Sequence, residues 1–150
     1  MLSITEFVTA KTAIKNAVPL TLTLPYEQRQ KSRLRVTLDN GEEAALQLTR
    51  GSVLHNGQLL RAANGALVRI CAAPESVSTA YANNPVLLIK AAYHLGNRHV
   101  AVQIGKNWLR YLSDHVLDEM VHQLGLRVVN GCAPFEPEAG AYGGNTHHHA

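Results

Sequence analysis

The order of periodicities after Pro74 constrains this chain more than any other feature. Ser76–Tyr81 reads as a strand, Pro85–Leu95 as a helix and Arg98–Ile104 as a strand. Gly105-Lys106-Asn107 turns the chain into strand Trp108–Leu112, and helix Asp114–Leu124 and strand Leu126–Val129 follow. Strand, helix, two hairpin strands, helix and strand is the split-βαβ, or ferredoxin-like, order. The punctuation agrees with it. Asn84 before Pro85 is a helix-start pair, a side-chain cap followed by a φ already fixed for the first turn. Gly96 suits a left-handed end for that helix. Ser113 or Asp114 caps the second helix, and Val116, Leu117, Met120, Val121 and Leu124 fall on one face at helical spacing. Gly125 stops it.

Before Pro74 the pattern is different. Leu20–Leu24 and Leu34–Leu38 alternate strictly, Ala45–Leu48 and Leu67–Ile70 are further strand candidates, and Asp39-Asn40-Gly41, Asn56-Gly57 and Asn64-Gly65 are turn signals between them. Short strands at regular spacing indicate a small all-β domain. Arg29, Lys31, Arg33 and Arg35 cluster within it. Such a cluster is ordinarily a solvated face, and a docking surface for an acidic partner is the sharper reading. After the last strand, Gly131 to Gly144 is rich in Pro, Gly and Ala and lacks periodicity, so an extended or mobile tail is expected. The chain thus reads as α+β. Residues 1–73 form a β-rich domain, 74–143 a ferredoxin-like domain, and 144–150 a flexible tail containing histidines.

Net charge is +3 with histidines neutral, too weak and dispersed to argue for nucleic acid. No run approaches a membrane span. The N-terminus lacks a basic segment followed by a long apolar run, so no export signal is expected. Cys71 and Cys132 form no CxxC, and reduced thiols in a cytoplasmic protein are the expectation.

Eight histidines are the unusual part of the composition. His99 follows Gly96-Asn97-Arg98 and opens the expected strand, on the face opposite Val100, Val102 and Ile104. A histidine there is ordinarily a half-exposed polar residue; imidazole in that position can also bind a metal, titrate near neutrality or meet a partner. His115, Glu119 and His122 lie along one helical stripe, for which an exposed polar face is the favoured account over a metal site. His147, His148 and His149 form a short tract of the kind that binds transition metals, with a purification-tag remnant as the competing explanation. No phosphate loop, dinucleotide fingerprint or nucleophile elbow appears. Metal-binding side chains without catalytic machinery fit metal handling better than catalysis. A zinc-dependent hydrolase using Glu119 as base and a metal-independent peptide-binding scaffold stay open on the residues alone.

Four stretches carry a resemblance. They are Tyr93-His94-Leu95-Gly96-Asn97-Arg98-His99, Leu109-Arg110-Tyr111, Asp114-His115-Val116-Leu117-Asp118-Glu119-Met120 and Pro134-Phe135-Glu136-Pro137-Glu138-Ala139-Gly140-Ala141-Tyr142. In this order they resemble the UreE family, the urease accessory proteins that carry nickel. The resemblance implies a cytoplasmic homodimer, not an enzyme. It would deliver Ni(II) to apo-urease together with the other accessory proteins, including an accessory GTPase. It implies His99 as the main ligand, one copy from each subunit across the dimer axis. His115 matches a further metal-binding position of some members, and Ser113 stands where those members can carry a histidine. The tail histidines would add donors. Copper and zinc should bind in the tube as well, because divalent affinity for such ligands does not single out nickel.

Overall fold

The computed structural model describes residues 1–9 and 18–140. One compact unit is built on Met1–Ala73, and the other spans Pro74–Glu138.

In the first unit six strands form one sheet: β1 Leu2–Phe7, β2 Leu20–Leu24, β3 Arg33–Thr37, β4 Glu43–Gln47, β5 Leu59–Ala62 and β6 Leu67–Ala72, in the order β2-β6-β5-β1-β4-β3. The β1–β4 and β2–β6 pairs are parallel, and the others are antiparallel. The strict alternation in Leu20–Leu24 and Arg33–Leu38 has the cause the sequence suggests. Leu22, Leu24, Val36 and Leu38 join Ile4, Leu46, Leu60, Val68 and Ile70 in one core. Asp39-Asn40-Gly41 closes the β3–β4 turn with Gly41 at φ +93°. The basic cluster is not wholly a solvated face. Arg29 ends a one-turn helix, α1 Tyr26–Arg29, and is buried; its Nε donates to the Leu24 carbonyl and its Nη1 to that of Leu54. A guanidinium can be buried there because backbone carbonyls accept its N–H groups in place of water.

In the second unit the order is β7 Pro74–Tyr81, α2 Pro85–Asn97, β8 Gln103–Gly105, β9 Trp108–Leu112, α3 His115–Gln123 and β10 Arg127–Pro134. The sheet runs β10-β7-β9-β8, all antiparallel, which is the ferredoxin-like arrangement. Ala80, Leu109, Tyr111 and Val128 face the helices and meet Ala91, Leu95 and Val121. Asn84 caps α2 by accepting from Val86 N at 2.9 Å, and Asp114 caps α3 by accepting from Val116 N and Leu117 N.

Three local expectations need correction. Arg98–Ile104 is not a strand; only Gln103–Gly105 pairs, and Ile104 is exposed. Val116, in the first turn of α3, lies outside its core face at 72% exposure. Gly131–Pro134 is not a loose tail. It completes β10, pairing residue by residue with β7 as far as Pro134 opposite Pro74. Beyond it Phe135 is buried, Glu136 N donates to Gln103 Oε1 at 3.0 Å, and Glu138 N donates to the Val102 carbonyl at 2.8 Å. Backbone pairing and one buried ring order a segment that has no periodicity of its own.

A polar network fixes α3 to the sheet. Tyr111 OH donates to Asp118 Oδ1 at 2.8 Å, and Asn130 Nδ2 donates to Asp118 Oδ2 at 3.0 Å and to Ser78 Oγ at 2.7 Å. Burial works against ionising Asp118, but hydrogen bonds from Ser78, Asn130 and Tyr111, with His115 nearby, hold its pKa below the ordinary carboxylate value. Burial and the Asp118 carboxylate push the Tyr111 phenol well above its usual range. The depressed folded-state pKa of Asp118 means that its stabilising contribution is present above the unfolded carboxylate pKa. That contribution is lost as pH falls through the lower folded value. Asp118→Asn puts an amide donor against Tyr111 or Asn130 and should cost about 1–3 kcal/mol at neutral pH. Urea denaturation should show this gap narrowing in acid, where wild type itself carries a protonated Asp118. A gap that stays constant into acid would contradict the network.

Candidate metal centre

His99 sits where helix α2 ends, and the way it ends sets the geometry. Arg98 is the C-cap, and His99 follows it with φ +58°, a left-handed conformation. His99 N donates to the Gly96 carbonyl at 2.9 Å, and Val100 N donates to that of Leu95 at 3.1 Å. This pair of bonds is a Schellman closure, with His99 in the left-handed position that glycine usually takes. Its apolar contact is present too, because Leu95 is fully buried and Val100 packs against the same core. Arg98 Nη1 adds a bond to the His94 carbonyl at 3.2 Å. His99 is therefore presented by a turn and not by a strand, and its side chain is exposed. Gly96, read from sequence as the left-handed residue, instead lies inside the helix.

A left-handed residue other than Gly, Asn or Asp costs about 1–2 kcal/mol and persists only where its surroundings impose it. The Leu95–Val100 contact imposes it here. Around His99 the described residues place few other donors. His94 is half-buried and meets the Tyr93 ring edge-on at 5.2 Å. Among the described residues no group of three His, Cys, Asp or Glu side chains is arranged to hold a metal ion. One subunit's described residues thus offer His99 as an exposed single donor.

His115 lies elsewhere in the same unit. It begins α3, is exposed, and lines an open cleft with Ser76, Ser113, Asp114, Asp118, Asn130, Gly131 and Cys132. Glu119 and His122 are exposed along the same helix, as a polar face would be. Cys132 and Asn130 were invisible to sequence reasoning as neighbours of His115, since only the β7–β10 pairing brings them there. Both cysteines are free thiols. His147, His148 and His149 lie outside the described residues. Among the described residues no helix is long and apolar enough to cross a membrane.

The cap makes a prediction that separates folding from function. His99→Gly should raise unfolding stability by about 1 kcal/mol, because glycine adopts the left-handed conformation freely. His99→Ala should change it little. Thermal or urea unfolding measures both, and a destabilised His99→Gly variant would mean that the imidazole holds the turn together.

Two family models match the chain. The UreE urease accessory protein N-terminal domain covers residues 4–73, and the C-terminal domain covers residues 75–150. A urease accessory protein UreE from Alkalilimnicola ehrlichii is 58% identical over 83% of this chain and 76% of its own length. Its counterpart from Pseudomonas putida strain GB-1 is 56% identical over 89% and 81%, and one from Shewanella halifaxensis is 48% identical over 97% and 83%. The boundary between the matched domains falls where the two compact units meet in sequence. By this membership the chain is an accessory protein and not an enzyme, and it belongs to the UreE family of urease accessory proteins.

Proposed function

We propose that this protein is a cytoplasmic nickel chaperone for urease maturation. As a homodimer it carries Ni(II) on a pair of His99 side chains and passes it to apo-urease in company with the other accessory proteins, including the accessory GTPase. The observation that carries this reading is His99 itself, an exposed imidazole held in a strained left-handed turn at a helix end. Strain kept at an exposed polar residue points to a task beyond folding.

Three features support the details. The carbonyl end of α2 carries the negative pole of the helix, which favours a cation beside His99. One imidazole is too few for a tight transition-metal site, and a two-fold axis doubles the donors. Helix α2 also leaves an apolar stripe bare. Val86, Ile89 and Tyr93 are 53%, 67% and 64% exposed and recur on one helical face. The stripe leads toward Gly96, where nothing lies within 4 Å of an added Cβ. A second copy packed on this stripe would bury it and bring the two His99 residues together.

The remaining histidines are auxiliary donors in this reading. Glu138 is tied to Val102, three residues beyond His99, and His147 lies nine positions further along the chain. A stretch of that length spans at most about 30 Å, which puts His147, His148 and His149 within reach of the site. His115, across the domain, would hold metal only weakly with the partners around it. Copper(II) and zinc should bind too, so nickel selectivity would rest on cellular supply and partners.

Isothermal titration of Ni(II) into the dimer tests this. His99→Ala should abolish the tight event while leaving fold and dimer intact. Removing His147, His148 and His149 should lower the number of ions bound and leave the tight event. Mildly acidic buffer should weaken binding, because a protonated imidazole has no lone pair for the metal. A tight event unchanged in a folded, dimeric His99→Ala variant would overturn the assignment.

A further inference from the structure

We propose that the sheet face opposite the helices in the second unit is a docking surface for an acidic protein segment, with Arg110 and Arg127 as its anchors. This stands on geometry separate from the His99 turn and does not depend on nickel binding.

The register places the residues. Tyr81 on β7 pairs with Trp108 on β9 and with Arg127 on β10, and Thr79, two residues away on the same face, pairs with Arg110. Each guanidinium lies over a ring: Arg110 is 4.6 Å from the Trp108 centroid and Arg127 is 4.7 Å from that of Tyr81. Arg110 is fixed further, since its Nε donates to Thr79 Oγ1 at 2.9 Å. The indole is fixed in turn. It lies across Gly105, where an added Cβ would come within 2.0 Å of Cε2. The ion pairs Arg35–Glu43 and Arg61–Glu6 lie in the first unit. Among the described residues neither Arg110 nor Arg127 is paired with a carboxylate.

A surface arginine is ordinarily mobile and gains little from an ion pair, because ordering its side chain offsets the attraction. Here stacking and the Thr79 bond have already ordered Arg110, so less freedom is lost when its Nη edge meets a carboxylate. Two such cations beside exposed Val129 and Leu112, on the same face, fit a segment that mixes carboxylates with apolar side chains. Single-stranded nucleic acid fits less well. Its bases would need bare aromatic faces, and the arginines already lie over Tyr81 and Trp108.

Trp108 is the only tryptophan in the chain, so its emission reports directly on this face. The probe is a twelve-residue peptide of Glu, Leu and Gly without aromatic residues, added to the full-length protein at low salt. The expected result is a saturable change in Trp108 emission that disappears when every Glu of the peptide is Gln. The double variant Arg110→Gln/Arg127→Gln should weaken binding by about tenfold or more, as loss of charge-assisted contacts does. Arg110→Lys/Arg127→Lys, which keeps the charge but loses the planar fork, should fall between. Lys31→Gln/Arg33→Gln, in the first unit, should bind as wild type does. The proposal is overturned if emission is insensitive to the peptide or if the double variant binds undiminished. It is equally overturned if the Lys31/Arg33 variant loses as much, or if oligothymidylate binds more tightly than the peptide.

Discussion

The contact between Leu95 and Val100 is what places the candidate metal ligand. Two apolar side chains, one in the last turn of α2 and one just past it, enter the same core. The four residues between them must then turn sharply, and the turn is closed by bonds from His99 N and Val100 N to the carbonyls of Gly96 and Leu95. A left-handed residue is needed at position 99, and the chain supplies a histidine. The imidazole is exposed, while Val100 beside it packs against the core. Two core-packed positions thus flank an exposed residue, at a backbone cost of about 1–2 kcal/mol.

The rest of the second unit holds this turn still. The segment after it, Val102 and Gln103, is pinned by Glu138 and Glu136. The long β10 strand brings that segment there, and Asp118 ties β9, β10 and α3 together through Tyr111 and Asn130. A ligand on a turn is positioned only as well as the elements around it. Here the turn lies between a buried helix end and a segment hydrogen-bonded on its far side, which suits a site that must present the same donor each time it is filled.

Much of the fold was legible because the cues were local and mutually consistent. Asn84-Pro85, Asp114 and Gly125 did what their side chains and backbone freedom dictate. At the end of α2, Gly96 offers an easy left-handed residue that the fold does not use. The better signal was the apolar pair. A cap at Gly96 would put Asn97 where the closing apolar contact belongs, whereas a cap at His99 puts Val100 there. Val100 and Val102 read as a strand because alternation over a few residues cannot be told from two core contacts in a loop. The sequence ends β10 early because Gly131, Ala133 and Pro134 are poor strand formers, and pairing with β7 overrides that preference. The neighbours of His115 and the stacked arginines depend on strand register, which no single stretch of sequence encodes.

The central claim is that tight nickel binding is a property of two chains and one residue. Native mass spectrometry of the protein loaded with limiting Ni(II) tests it most directly. The account predicts a dimer carrying a single tightly held ion, lost in His99→Ala. A monomer holding its own nickel ion, or a dimer holding one equally tight ion in each chain, would contradict it.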